Sequence, residues 1–156
     1  QSGSTAFLVV PEGDVAVYAT VVPGSNWDEG GIRDGSRIPL HACAPGKAIL
    51  STRSTEAVQA YLDRRSLSGR TERTVTHQDK LRSELRSVRD RGIAFDRGEA
   101  IEGINAVAAQ VTQEGDAVAA MGVSGPAAQL TGKRLQEDLP GLVLNHVTSL
   151  ELALAG

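Results

Sequence analysis

The chain has 156 residues, 40% of them hydrophobic, 22% charged and 3% aromatic, which fits one domain able to bury roughly 68–70% of the surface its unfolded form exposes. Sixteen Lys and Arg against nineteen Asp and Glu leave a net charge of −3 and a pI of about 5.6, the opposite of the balance by which a DNA-gripping module neutralises phosphates. The single Cys43 excludes an intramolecular disulfide and points to a reduced, cytoplasmic setting, while no apolar run reaches the roughly 20 residues of a membrane helix and Gln1–Thr5 lacks signal-peptide order.

Phe7–Val10 and Val15–Val22 are apolar runs separated by Pro11-Glu12-Gly13-Asp14, which reads as a β-hairpin with a four-residue loop. The chain opens straight into this strand, as a fragment cut near a domain boundary would. Residues 23–37 form a Gly- and Asp-rich loop holding Trp27, the only tryptophan. Ala44–Leu50 reads as a short helix with Pro45 suited to its first turn. Ser54–Leu62 is a second helix with Ser54 as N-cap and Glu56 in the first turn. Thr76-His77-Gln78-Asp79 resembles a capping arrangement. Leu81, Leu85 and Val88 then repeat at i, i+4 and i+7, and Gly92 closes that helix.

Ile93–Asp96 is a short strand. Ala106–Val111 and Ala117–Val123 are two more, joined by the turn Gln113-Glu114-Gly115-Asp116. From Leu135 to Leu154 the leucines and valines fall at helical spacing, with Pro140 expected to kink or restart the helix. Strands, helices, strands and a last helix predict an α+β fold with a largely antiparallel sheet and helices packed outside it.

Eleven of the sixteen basic residues lie between Arg53 and Arg97, but seven acids share that stretch, a balance of only +4. Aromatic residues that would stack on bases are scarce, 3% of the chain. A solvated helix face, with charge pairs near Glu84 and Arg89, accounts for it. The long polar segment between the two helices also rules out a helix-turn-helix, which needs a three- or four-residue turn.

The segment Pro39–Ala48 carries the most information. Small residues running into a helix leave unpaired N–H groups at its start, favourable for an anion, and Gly46 lets a ligand approach the backbone. Close packing of helix on sheet by small residues explains the same pattern.

Gly35-Ser36-Arg37-Ile38-Pro39-Leu40-His41-Ala42-Cys43-Ala44-Pro45-Gly46-Lys47-Ala48 resembles the signature of the IclR-type bacterial transcription regulators. Leu85–Asp96, Gly103–Val111 and Val118–Pro126 follow in the family's order. The resemblance implies that residues 1–156 are the C-terminal effector-binding domain, a GAF/PAS-like antiparallel sheet flanked by helices, with the N-terminal winged helix-turn-helix absent from this chain. It implies a homodimer or homotetramer, a small organic-acid effector, and DNA contact only through the missing domain. No membrane association, cofactor, metal or catalytic residue is expected.

The resemblance also implies a pocket against the sheet. Positions Ala44, Pro45, Asp96, Ala106, Gly122 and Ser124 match the family's polar contacts, and Ile38 and Ile104 its apolar wall. Ser124 ends a strand and its hydroxyl serves either a ligand carboxylate or a neighbouring turn. Asp96 accepts either from a ligand hydroxyl or from a backbone turn, and beside an anion it needs a donor, a proton or distance. Pro45 removes one backbone donor, and Gly122, where serine is common, removes a hydroxyl and is expected to widen the cavity. Ala106 also gives room, so a larger, less polar acid, aromatic or branched, is expected, held by the N–H groups of Gly46 and Lys47 with Ser124. Trp27 either roofs the pocket or packs on the surface.

A hydrolytic triad of Ser124, His41 and Asp96 is the competing chemistry. Gly122-Val123-Ser124-Gly125 lacks the spacing of a nucleophile elbow, and His41, His77, His146 and Cys43 are too scattered for a zinc set. Lys47 reads as a helix-surface residue.

Overall fold

The computed structural model describes residues 4–25 and 31–156. Its first hairpin joins β1 (Thr5–Glu12) to β2 (Val15–Val22) through Gly13 and Asp14, with Gly13 at φ 60°. The loop is thus two residues rather than four. Pro11 and Glu12 tolerate extended backbone and pair with Ala16 and Val15, so the strand runs further than turn-prone residues suggest.

The chain continues through β3 (Arg37–Pro39), a 3₁₀ turn at Leu40–Ala42 and α1 (Ala44–Leu50). Next come α2 (Thr55–Arg64) and α3 (Gln78–Arg91). Ser54 caps α2 as expected, its Oγ accepting the Ala57 N–H at 3.1 Å. Helix α3 buries Leu81, Leu85 and Val88 and ends on Gly92 at φ 76°. At its start, however, His77 makes no side-chain capping bond.

Strand β4 (Ala94–Arg97) leads to the second hairpin, β5 (Ile104–Gln113) and β6 (Asp116–Pro126). Its tip has Glu114 at φ 54° and Gly115 at φ 86°, a two-residue turn whose twist suits the hairpin. A π-helical turn, Arg134–Asp138, precedes α4 (Leu139–Ala155), and Pro140 sits in the first turn of α4. Proline restarts the helix where its missing N–H leaves no bond unmade.

All strand pairs are antiparallel, in the order β3-β2-β1-β6-β5-β4. Alternation along the strands gives the sheet two apolar faces. One face, with Phe7, Val9, Tyr18, Ala108 and Ala120, is covered by α1, behind which α3 packs. The other, with Phe95, Val107, Ala109 and Val111, is covered by Leu139, Val143 and Val147 of α4.

Candidate functional site

Register builds the site. Thr5 pairs with Ser124, Ser124 with Ala106, and Ala106 with Asp96, so four neighbouring strands place these residues in one row. Strands lie about 4.8 Å apart, which makes the row about 14 Å wide. Phe7, Tyr18 and Ile104 line the cavity from neighbouring strand positions, Ala100 and Ile101 from the loop after β4, and Gly31 and Ile32 from the segment before β3. Together they line a cavity of about 40 Å³, partly open to solvent, with room for about three waters at 10–15 Å³ each.

The loop above the row is anchored at almost every residue. Thr71 Oγ1 donates to Gly98 O at 2.6 Å, Thr74 Oγ1 to Glu99 O at 2.6 Å, and Arg70 Nε to Ala100 O at 3.0 Å. Asp96 Oδ1 accepts the N–H of Glu99 at 2.6 Å and of Ala100 at 3.4 Å. The side chain of Glu99 turns inward, its Oε1 2.6 Å from Lys47 Nζ, and Glu84 Oε2 meets the same ammonium at 3.0 Å.

This charge cluster is largely buried and shifts the titration of Asp96 and Lys47. Burial drives the Asp96 carboxyl up to about 7, reinforced by the Glu99 carboxylate and opposed by the two N–H groups and Lys47. Burial pulls the Lys47 ammonium down, but the carboxylates of Glu99 and Glu84 outweigh it and hold its pKa above the ordinary value. Lys47 is 2% exposed. It is not the helix-surface residue expected: an unpaired ammonium could not sit there, but two carboxylates from β4's loop and α3 compensate its desolvation. Glu84 is thereby drawn away from the solvated face on which pairing was expected, and Arg89 Nε donates to Ser51 O.

Of the residues anticipated from sequence, Asp96, Ile104, Ala106 and Ser124 line the cavity together. Ile38, Ala44, Pro45 and Gly46 are buried and are not among its lining residues. The Lys47 N–H already donates to Cys43 O at 3.0 Å, and the Gly46 N–H faces the Cys43 sulfur. What approaches Gly46 is not a ligand but the backbone at Leu40, since a Cβ there would lie 2.6 Å from Leu40 Cα. The space beside Gly122 is also filled: a Cβ would come within 2.9 Å of the Phe7 ring and of Ala108 Cα, so no room is gained. Trp27 lies outside the described residues.

Phe7 and Tyr18 do not stand out in the sequence, because alternate apolar positions on a strand look alike whether they face a core or a cavity; Thr5, Ile32, Ala100 and Ile101 reach the cavity only through strand pairing and loop packing that no local pattern shows. Once the pairing of β1 with β6 is known, Thr5 opposite Ser124 is the signal. Burial raises the Tyr18 hydroxyl well above its ordinary value and pushes the Cys43 thiol up to about 12, so both stay neutral.

His41 does not join Ser124 and Asp96. Its Nδ1 lies 2.8 Å from the Tyr61 hydroxyl and its Nε2 3.0 Å from Ser68 O, while the Tyr61 oxygen also accepts the His41 N–H at 3.2 Å. Burial lowers the His41 pKa. The ring therefore ties the 3₁₀ turn to α2 and the following loop. Among the described residues no group of His, Cys, Asp and Glu is placed to hold a metal, and no helix is long and apolar enough to cross a membrane.

A family model described as bacterial transcriptional regulator IclR, C-terminal, matches residues 1–149. The acetate operon repressor of Salmonella typhimurium is 34% identical over 123 residues, which cover 78% of this chain and 44% of the repressor. The HTH-type transcriptional repressor AllR of Escherichia coli K12 is 30% identical over 134 residues, 85% of this chain and 49% of that protein. The chain thus spans about half the length of these curated relatives. Among solved structures, Thermotoga maritima IclR superposes with a TM-score of 0.93 at 28% identity, over 99% of this chain and 63% of that one. The C-terminal domain of the E. coli transcriptional regulator KdgR gives 0.86 at 25% identity, over 99% and 89%. The sheet and flanking helices are those of IclR-regulator C-terminal domains, and these relatives are transcriptional regulators rather than enzymes.

Proposed function

The chain belongs to the family of IclR transcriptional regulator C-terminal domains, and on that premise we propose that it is the effector-sensing and oligomerisation half of a cytoplasmic DNA-binding regulator. The observation that carries the reading is the cavity over the Thr5–Ser124–Ala106–Asp96 row. It combines apolar walls with the hydroxyl-bearing Thr5, Tyr18 and Ser124 and one carboxyl, the pattern of a small-molecule site.

The effector in this reading is a small organic acid. An engineered cavity of about 150 Å³ accepts benzene; the present 40 Å³ favours a compact aliphatic acid over an aromatic one. Such an acid acts by population shift, binding one arrangement of sheet and loop better than another and so changing how paired DNA-binding domains are held. Homodimers or homotetramers supply that pairing. Leu152, Leu154 and Leu144 on α4, 70%, 41% and 38% exposed, are available for such a contact. In this reading DNA is contacted by a winged helix-turn-helix domain of the regulator rather than by residues 1–156.

The cavity's small volume also supports a second reading, an interaction module whose pocket is vestigial. A thermal-shift panel of acetate, glycolate, lactate, isobutyrate and benzoate separates the two. A bound acid at 100 times its dissociation constant stabilises the fold by about 2.7 kcal/mol, and Ala106→Val, which fills the cavity, abolishes the shift. No stabilisation by any acid supports the module instead.

A further inference from the structure

The cavity holds an acid of its own and no base. Among the described residues that line it there is no Lys, Arg or His, and Asp96 is its only ionisable carboxyl. The N–H groups of Gly46 and Lys47, expected to meet an anion, are turned to Cys43. The nearby cation, Lys47, is already held between Glu99 and Glu84. A carboxylate entering beside an ionised Asp96 would therefore meet like charge in a site with little water, where repulsion is strong.

We propose that this cavity takes up a proton along with its acid, so that ligand carboxylate and Asp96 share one proton between them. The inference rests on the effector reading above. In the balanced step, a carboxylate and a solvent proton enter together, and the O–H on one carboxyl donates to an oxygen of the other. The complex then carries the single negative charge that the ionised site carried alone.

The groups that set this balance come from every element around Asp96. Tyr18 on β2 and Cys43 ahead of α1 are neutral. Lys47 on α1 favours the ionised form, and Glu99 on the loop opposes it. Glu84 on α3 acts through Lys47, and Arg70 is bound to the loop at Ala100 O. Burial of Asp96, 4% exposed, already inclines the free cavity toward the protonated form. Two carboxyls brought to one site strengthen that inclination, as in any carboxyl pair that shares a proton.

Isothermal titration of the 156-residue chain with acetate, glycolate and isobutyrate, at pH 8 in HEPES and in Tris, counts the protons taken up from the difference in buffer heats. About one proton per bound acid is expected at pH 8. Affinity is expected to fall about tenfold per pH unit above pH 7.5 and to level off below pH 6. Asp96→Asn should bind the same acids with no proton uptake and no pH dependence between 6 and 8. Ser124→Ala, as a second variant, should weaken binding while leaving the proton count at one. Binding with no proton uptake by the wild-type chain overturns this proposal and leaves the effector reading standing. Absence of binding by every acid at every pH overturns both.

Discussion

Replacing Asp96 by asparagine should stabilise the free protein, and only at the pH where the wild-type group is forced to ionise. The folded chain holds this carboxyl at about 7, burial being the main cause, against an ordinary 3.8. Between those values the folded state binds a proton that the unfolded chain has released. Stability from this group is therefore fully present below about pH 4 and is lost as pH rises to about 7. At 1.36 kcal/mol per unit, the loss between pH 5 and its end at pH 7 is about 2.7 kcal/mol. The side-chain amide of D96N retains an Oδ1 to accept the Glu99 and Ala100 N–H groups, so the loop keeps its anchor. Urea denaturation of both proteins at pH 5 and pH 8 reads the effect as a difference of differences, in which His41 and the other titrating groups cancel. The advantage of D96N should grow by about 2–3 kcal/mol from pH 5 to pH 8. A constant difference, or a variant less stable at pH 8, would refute the claim that the fold penalises the ionised carboxylate.

Three further substitutions test the packing beneath the cavity. Gly46→Ala should destabilise by about 1–3 kcal/mol in chemical denaturation despite alanine's helix preference of about 1 kcal/mol, because its Cβ meets rigid backbone at Leu40. Lys47→Met should cost about 3–5 kcal/mol by leaving Glu99 buried without its cation, and adding Glu99→Gln should restore part of the loss. Tyr61→Phe should cost about 1–3 kcal/mol, since the His41 N–H and ring nitrogen lose their shared hydroxyl; an unchanged unfolding midpoint in any of the three would contradict the contact it removes.

Local signals in the sequence are enough for most elements. Ser54 as a cap, the Leu81–Leu85–Val88 spacing, Gly92 and Pro140 each act within one or two helical turns, and the structure has them in those roles. The first hairpin loop comes out shorter than expected because turn-prone Pro11 and Glu12 are equally able to lie in a strand end. The capping role expected of residues 76–79 fails because His77 offers no capping bond. Lys47 departs from expectation for a different reason: its partners Glu84 and Glu99 stand 37 and 52 residues away, beyond any local pattern. Gly46 and Gly122 suggest space for a ligand when they are space for Leu40 and Phe7. A glycine marks close approach, but what approaches is decided by tertiary packing. Eight of the twelve residues lining the cavity are strand positions, and only pairing register brings Thr5, Ser124, Ala106 and Asp96 into line.

The receptor account is tested most directly by an NMR titration of the isotope-labelled chain with acetate, the most compact of these acids, at pH 6. Chemical-shift changes should centre on Ala100, Ile101, Ile104, Ala106 and Ser124, leaving the amides of Gly46 and Lys47 and the α4 residues Leu142 and Val143 unmoved. Changes centred on α1 or α4 instead, or none at saturating acid, would contradict it.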